Sequence, residues 1–246
     1  MNTVIYYILS AIAALIALTI HEYCHGYAAY KLGDDTAKNL GRLTLNPVKH
    51  IDPYGALCMI FFHFGWAKPV PINARNFRDP RKGFAITAAA GPAANLILGF
   101  ITAPFLLLSW NAYVKMAITT GGSGFAVNLL SNLTNFLSAF HVINVGLGLF
   151  NLLPIPPFDG SRLLYVFLPP KYYFGIMKHE KKIYIGVLLW LLLGDYVCDA
   201  IRMLPVIKAG SLLYKFAGIF SLSGMISSVI SGASNLMLDF WQLFIK

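Results

Sequence analysis

Charge is what this sequence has least of. Asp, Glu, Lys and Arg together make up 12% of its 246 residues, about half the ~25% typical of a soluble domain. The first basic residue is Lys31, so nothing positive precedes the opening apolar run. That absence argues against a cleavable secretory leader, whose apolar stretch follows a basic segment. Cysteine is scarce as well. Cys24, Cys58 and Cys198 are an odd number in unrelated segments, and they offer neither a disulfide framework nor a Cys-x-x-Cys metal pair. No appended soluble domain and no internal repeat can be read from the chain. The net charge is +9, but the basic residues form no helical stripe and no nucleic-acid motif accompanies them, which excludes nucleic acid as the partner.

What is abundant is apolar surface. Hydrophobic residues make up 57% of the chain, against roughly 45–50% in soluble domains. The chain therefore reads as an all-α polytopic membrane protein, with about four to six transmembrane helices and the lipid bilayer as its solvent. Its basic residues mark cytoplasmic loops.

Residues 3–31 form the first expected span, within an N-terminal segment 1–32, ended by a basic residue and a glycine at "KLG". A polar, turn-rich stretch opens the region 33–82, and its "GRLTLNP" alternates well enough for a short strand. The apolar run 55–67, "GALCMIFFHFGWA", is too short for a standard span. Lys38, Arg42 and Lys49 precede it, and Lys68, Arg75, Arg78, Arg81 and Lys82 follow it. Positive charge on both flanks predicts a segment that dips into the membrane from the cytoplasm and returns, with a short tilted span as the alternative. Further spans are expected over 84–110 and 131–153, the latter within a segment 129–170, with an external loop at 111–128. Another is expected over 183–204, and 210–246 reads as either one more span or an interfacial helix.

Ionisable groups at membrane depth are costly and usually functional. The first span ends in "HEYCH", the H-E-x-x-H pattern of zinc proteases. Residues four apart share a helix face, so His21 and His25 can offer two imidazoles to one ion. Glu22 falls beside that ion rather than on it, where a general base belongs. A catalytic zinc takes three protein ligands, and Asp159 in "NLLPIPPFDG" is the third candidate. The first and third spans both descend toward the cytoplasm, which brings His21 and Asp159 to similar depth. Taken alone, an Asp-Gly after three prolines is ordinarily a turn.

"HEYCH", "GRLTLNPVKHIDP", "GWAKPVPIN", "GPAAN" and "NLLPIPPFDG" occur in this order. Together they resemble the site-2 protease family of intramembrane zinc metallopeptidases, peptidase family M50, in a compact form without PDZ or CBS modules. The resemblance covers roughly residues 10–170. It implies one zinc ion per chain held by His21, His25 and Asp159, with Glu22 as the base. It also implies that Asn151 supports the substrate or the oxyanion, and that "GWAKPVPIN" belongs to a membrane-embedded β-loop presenting an extended substrate. Asn95 of "GPAAN" either lines the site or bonds across helices. His50, His63 and His141 read as structural.

The expected activity is endoproteolysis within or next to transmembrane segments of membrane-protein substrates, at a site nearer the cytoplasmic face of the cell membrane. A zinc transporter and a catalytically inactive scaffold are the rival readings. A transporter needs a polar path to the outer face, and the outer halves of the first three spans are almost wholly apolar.

Overall fold

The computed structural model describes residues 3–55, 57, 67–203 and 222–245. Helix α1 runs Thr3–Lys31 and, at ~1.5 Å per residue, is about 43 Å long, enough to cross a ~30 Å hydrocarbon layer. It ends as "KLG" predicts. Gly33 adopts φ 105°, and the N–H groups of Gly33 and Asp34 return to the carbonyls of Tyr30 and Ala29. This is the Schellman arrangement, which satisfies the last carbonyls of a helix. A single turn, α2 (Thr36–Asn39), follows.

The strand expected in "GRLTLNP" is not formed. Residues 41–46 are turns and irregular backbone, followed by a 3₁₀ turn at Pro47–His50. Side chains satisfy this backbone locally: Asn46 accepts from the Val48 N–H at 3.1 Å, and the Thr44 hydroxyl accepts from the Asn46 N–H. Asn and Thr compete with extended pairing in this way. Among the described residues the β pairing is one antiparallel bridge, Ile51 to Ala67, beside a Lys68 N–H to His50 carbonyl bond of 2.8 Å. Residues 56 and 58–66, which hold His63 and most of the expected re-entrant segment, lie outside the described residues.

Helix α3 spans Pro80–Thr120, with Asp79 capping its start through the Arg81 and Lys82 N–H groups. The helix outruns the expected 84–110 because no glycine or proline interrupts 105–120. The Thr119 and Thr120 hydroxyls also bond back to carbonyls one turn earlier. The expected external loop 111–128 therefore shrinks to 121–124. Helix α4 covers Phe125–Asn151. Among the described residues, α1, α3 and α4 are the three helices long and apolar enough to cross a membrane.

These three helices pack on one another, and α3 meets α4 at glycines. A Cβ at Gly99 would lie 2.8 Å from Val145 Cγ2, and one at Gly148 would lie 2.6 Å from Leu96 Cγ. Small residues permit this approach. His141 crosses the same seam, its Nδ1–H donating to the Gly99 carbonyl at 2.9 Å. That is a structural role, as the sequence suggests.

Beyond α4 the proline-rich turn folds back, with Phe158 on Phe150 at 4.3 Å between ring centroids. Helix α5 (Asp159–Phe167) then packs against α3. Helix α6 spans Pro170–Met203, so the basic stretch expected as a loop before residue 183 is helical. Helix α7 (Leu222–Gln242) lies against α3 and α4, and Trp241 Nε1–H donates to the Phe100 carbonyl at 3.0 Å.

Candidate active site

Two helices deliver the candidate ligands. His21 and His25 stand one turn apart on α1, and Asp159 opens α5. The Nε2 atoms of the histidines are 3.0 Å apart, and they lie 3.2 Å and 3.1 Å from one oxygen, Asp159 Oδ2. Both histidines are buried, while Asp159 is partly open.

The ring orientations follow from the opposite nitrogens. His25 Nδ1 faces the Thr87 carbonyl at 2.7 Å, and a carbonyl only accepts, so this nitrogen carries the proton. His21 Nδ1 faces Asn95 Oδ1 at 2.6 Å. The Asn95 amide group is spent as donor to Asn144 Oδ1 at 2.8 Å and to the Ala17 carbonyl at 3.3 Å. Asn144 in turn donates to the Phe140 carbonyl. That chain fixes Asn95 Oδ1 as an acceptor and puts the second proton on His21 Nδ1. Both Nε2 lone pairs therefore point at each other and at a carboxylate oxygen. Three electron-rich atoms so close repel one another unless a cation lies among them. Their 3.0–3.2 Å spacing is near the ~3.3 Å between tetrahedral ligands ~2.0–2.1 Å from an ion. The residues present fit a divalent metal.

Glycine makes the room. A Cβ at Gly91 would collide with Nε2 and Cε1 of His25, and would lie 2.8 Å from Cε1 of His21. Helix α3 therefore presents bare backbone to the two rings. At Gly160 a Cβ would strike the Leu152 and Leu153 carbonyls, so glycine lets α5 start hard against the turn that carries Asp159.

Glu22, next to His21 on α1, accepts from the Val70 N–H through its Oε2 at 2.8 Å. The stretch "AKPVPIN" thus touches the candidate base directly. Asn151 is half-buried and donates to the Leu147 carbonyl of its own helix at 3.0 Å. Asn95 is fully buried, with His21, Asn144 and the α1 backbone as its partners. His50 is buried, and its Nε2 bonds the Thr44 carbonyl at 2.7 Å, away from the centre.

The model of Peptidase family M50 matches residues 9–193 of this chain. The chain belongs to that family. A Bacillus subtilis (strain 168) protein named "Putative zinc metalloprotease YwhC" is 40% identical over 229 residues, covering 89% of this chain and 98% of its own length. A Mycolicibacterium smegmatis protein named "Putative zinc metalloprotease Rip2" is 31% identical over 162 residues, covering 64% of this chain and 56% of its own. A third relative, "Zinc metalloprotease MJ0392" of Methanocaldococcus jannaschii, is 26% identical over 181 residues, covering 74% of this chain and 40% of its own. No solved structure matches the chain. As a member of this peptidase family the protein is a metalloprotease.

Sequence reasoning missed three contributors: Asn144, the Thr87 carbonyl and Gly91. Asn144 lies two turns before Asn151, on the same face of α4, and that spacing was a usable signal. Gly91 stands in the quoted "GPAAN", but what it faces depends on how α3 crosses α1. The Thr87 carbonyl is backbone and leaves no mark in residue type.

Proposed function

We propose that this chain is a zinc-dependent intramembrane endopeptidase that hydrolyses peptide bonds within or next to transmembrane segments of membrane-protein substrates. The convergence of His21 Nε2, His25 Nε2 and Asp159 Oδ2 carries the reading. His21, His25 and Asp159 hold one zinc ion per chain, a donor set of two imidazoles and a carboxylate that suits zinc. Zinc held there would supply Lewis-acid polarisation of the scissile carbonyl and a water whose pKa is lowered to ~7.

The chain's own residues do the rest. Asn95 and the Thr87 carbonyl hold the histidine rings in the tautomer that binds metal, the outer partners that ligating histidines need. Glu22 takes a proton from the attacking water as the new C–O bond forms. It then delivers that proton to the leaving amine as the C–N bond breaks. Asn151 serves as oxyanion donor once its amide swings off the Leu147 carbonyl, a contribution worth ~3 kcal/mol in another protease.

The bridge from Ile51 to Ala67 supports a re-entrant course for the run between them, because its two ends lie side by side. Both ends then belong to one face of the membrane, and the flanking basic residues make it the cytoplasmic one. "AKPVPIN", which reaches Glu22 through the Val70 N–H, is where an unwound substrate can pair with extended backbone. A helical substrate must unwind there, since its carbonyls are otherwise bonded and shielded from water. We assign the protein to the cell membrane, with four to six spans and the site in the cytoplasmic half.

The test is to map new protein termini in membranes carrying the wild type or Glu22→Gln. Termini inside transmembrane segments that appear with the wild type alone support the reading. Identical termini with both proteins overturn it.

A further inference from the structure

Asp34, immediately beyond the end of α1, is a carboxylate with no exposed surface. Burying such a charge costs several kcal/mol unless it is paired or fully hydrogen-bonded. Among the described residues no cation pairs with it, and four donors surround it instead. Two come from its own turn, the Thr36 N–H at 3.1 Å and the Thr36 hydroxyl. The other two come from far along the chain, the Asn73 N–H and the Asn76 side-chain amide, each at 2.7 Å. A turn residue needs only the first pair. The second pair ties residues 73–76 to the cytoplasmic end of the helix that bears His21, Glu22 and His25.

Three residues before Asn73 is Val70. Pro69 and Pro71 flank it and have no N–H, so Val70 carries the single backbone donor of 69–71, and that donor rests on Glu22 Oε2 at 2.8 Å. The prolines also fix φ, which makes the link from Val70 to Asn73 stiff. On its other side the segment is tied by Arg42, whose guanidinium donates to the Lys68 and Pro69 carbonyls at 2.7 and 3.3 Å. The segment is therefore held at both ends and touches Glu22 in the middle.

We propose that Asp34 is a positioning residue for the base: it anchors residues 70–76 so that the Val70 N–H engages one Glu22 oxygen and leaves the other to face the attacking water. This rests on Glu22 being the general base. A carboxylate free to rotate would spend much of its time misdirected, and misplacement by ~1 Å can cost ~100-fold in rate.

The experiment uses the full chain in detergent or bilayer, as wild type, Asp34→Asn and Asn76→Ala. Asp34→Asn keeps the shape but turns a donor toward at least one of the four N–H or O–H groups. Amide hydrogen exchange at Val70 and Asn73 should accelerate by ~10-fold or more, as expected from losing a bond to a charged group. Zinc content should stay at the wild-type level. On a substrate found by terminus mapping, kcat should fall by ~10–100-fold while KM changes by less than ~3-fold. Asn76→Ala removes one donor and keeps the buried charge, so it should shift exchange and kcat the same way by a smaller factor. It also decides the matter should Asp34→Asn not fold. Unchanged Val70 exchange, wild-type kcat, or zinc lost in both variants would overturn the proposal. If the wild type cleaves no membrane protein, the peptidase reading fails, and the exchange measurement still decides whether Asp34 anchors Val70.

Discussion

Replacing Gly91 with alanine puts one methyl group against the two histidine rings and changes no ligand. The added Cβ would sit 2.6 Å from His25 Cε1 and 2.8 Å from His21 Cε1, where ordinary contact begins near 3.4 Å. At least about 0.8 Å must come from somewhere, and more at the nearer His25 Nε2; α3 is a long helix packed along both α1 and α4, so the rings give way first. Metal–ligand distances tolerate only ~0.2 Å, so the displacement exceeds the tolerance severalfold. Zinc affinity should fall by at least the ~10–100-fold seen when a ligand loses its orienting partner. Titration of purified protein against a chromophoric chelator measures it. Gly99→Ala is the control, because its Cβ meets Val145 rather than the site. It should cost ~1–3 kcal/mol of stability through overpacking and leave zinc affinity unchanged. A Gly91→Ala protein with wild-type zinc affinity would refute the placement of α3 against the rings.

Asn95→Ala removes the acceptor that fixes His21 and should weaken zinc by ~10–100-fold, read in the same titration. Glu22→Gln should keep zinc and lose ~10²–10⁴-fold in cleavage rate, measured on a reconstituted substrate. Burial raises the Asp34 carboxyl, but its bonds from Thr36, Asn73 and Asn76 outweigh burial and hold it below its ordinary 3.8. The stability gap between wild type and Asp34→Asn should therefore be full above about pH 4 and shrink as the pH falls through the lowered value, which chemical denaturation at stepped pH will show. Cysteines placed at Lys49 and Arg78 in a cysteine-free background should both react with an impermeant thiol reagent from the cytoplasmic side alone.

Legibility followed the range of the interaction. The i, i+4 spacing of His21 and His25 is local, and the structure sets their Nε2 atoms 3.0 Å apart. "KLG" named the stop of α1 because the αL glycine is local too. Asp159 was reachable only by adding topology to a resemblance, since proline, aspartate and glycine spell a turn wherever they fall. The strand expected in "GRLTLNP" failed because alternation says nothing about a partner, and Asn46 and Thr44 satisfied the backbone first. Helix α3 outran its expected end because a hydropathy drop at 111 marks where lipid stops favouring a residue, not where a helix must stop. The Asn144–Asn95–His21 chain crosses three helices, and no single stretch of sequence encodes it.

The most direct test of the metal centre is zinc K-edge X-ray absorption on the purified chain, calibrated to zinc per chain. One zinc is expected, with nitrogen and oxygen neighbours at ~2.0–2.2 Å, including imidazole scattering. In His21→Ala/His25→Ala that zinc should be gone. Sulfur at ~2.3 Å, which would bring in Cys24, or full zinc occupancy in the double variant, would contradict it.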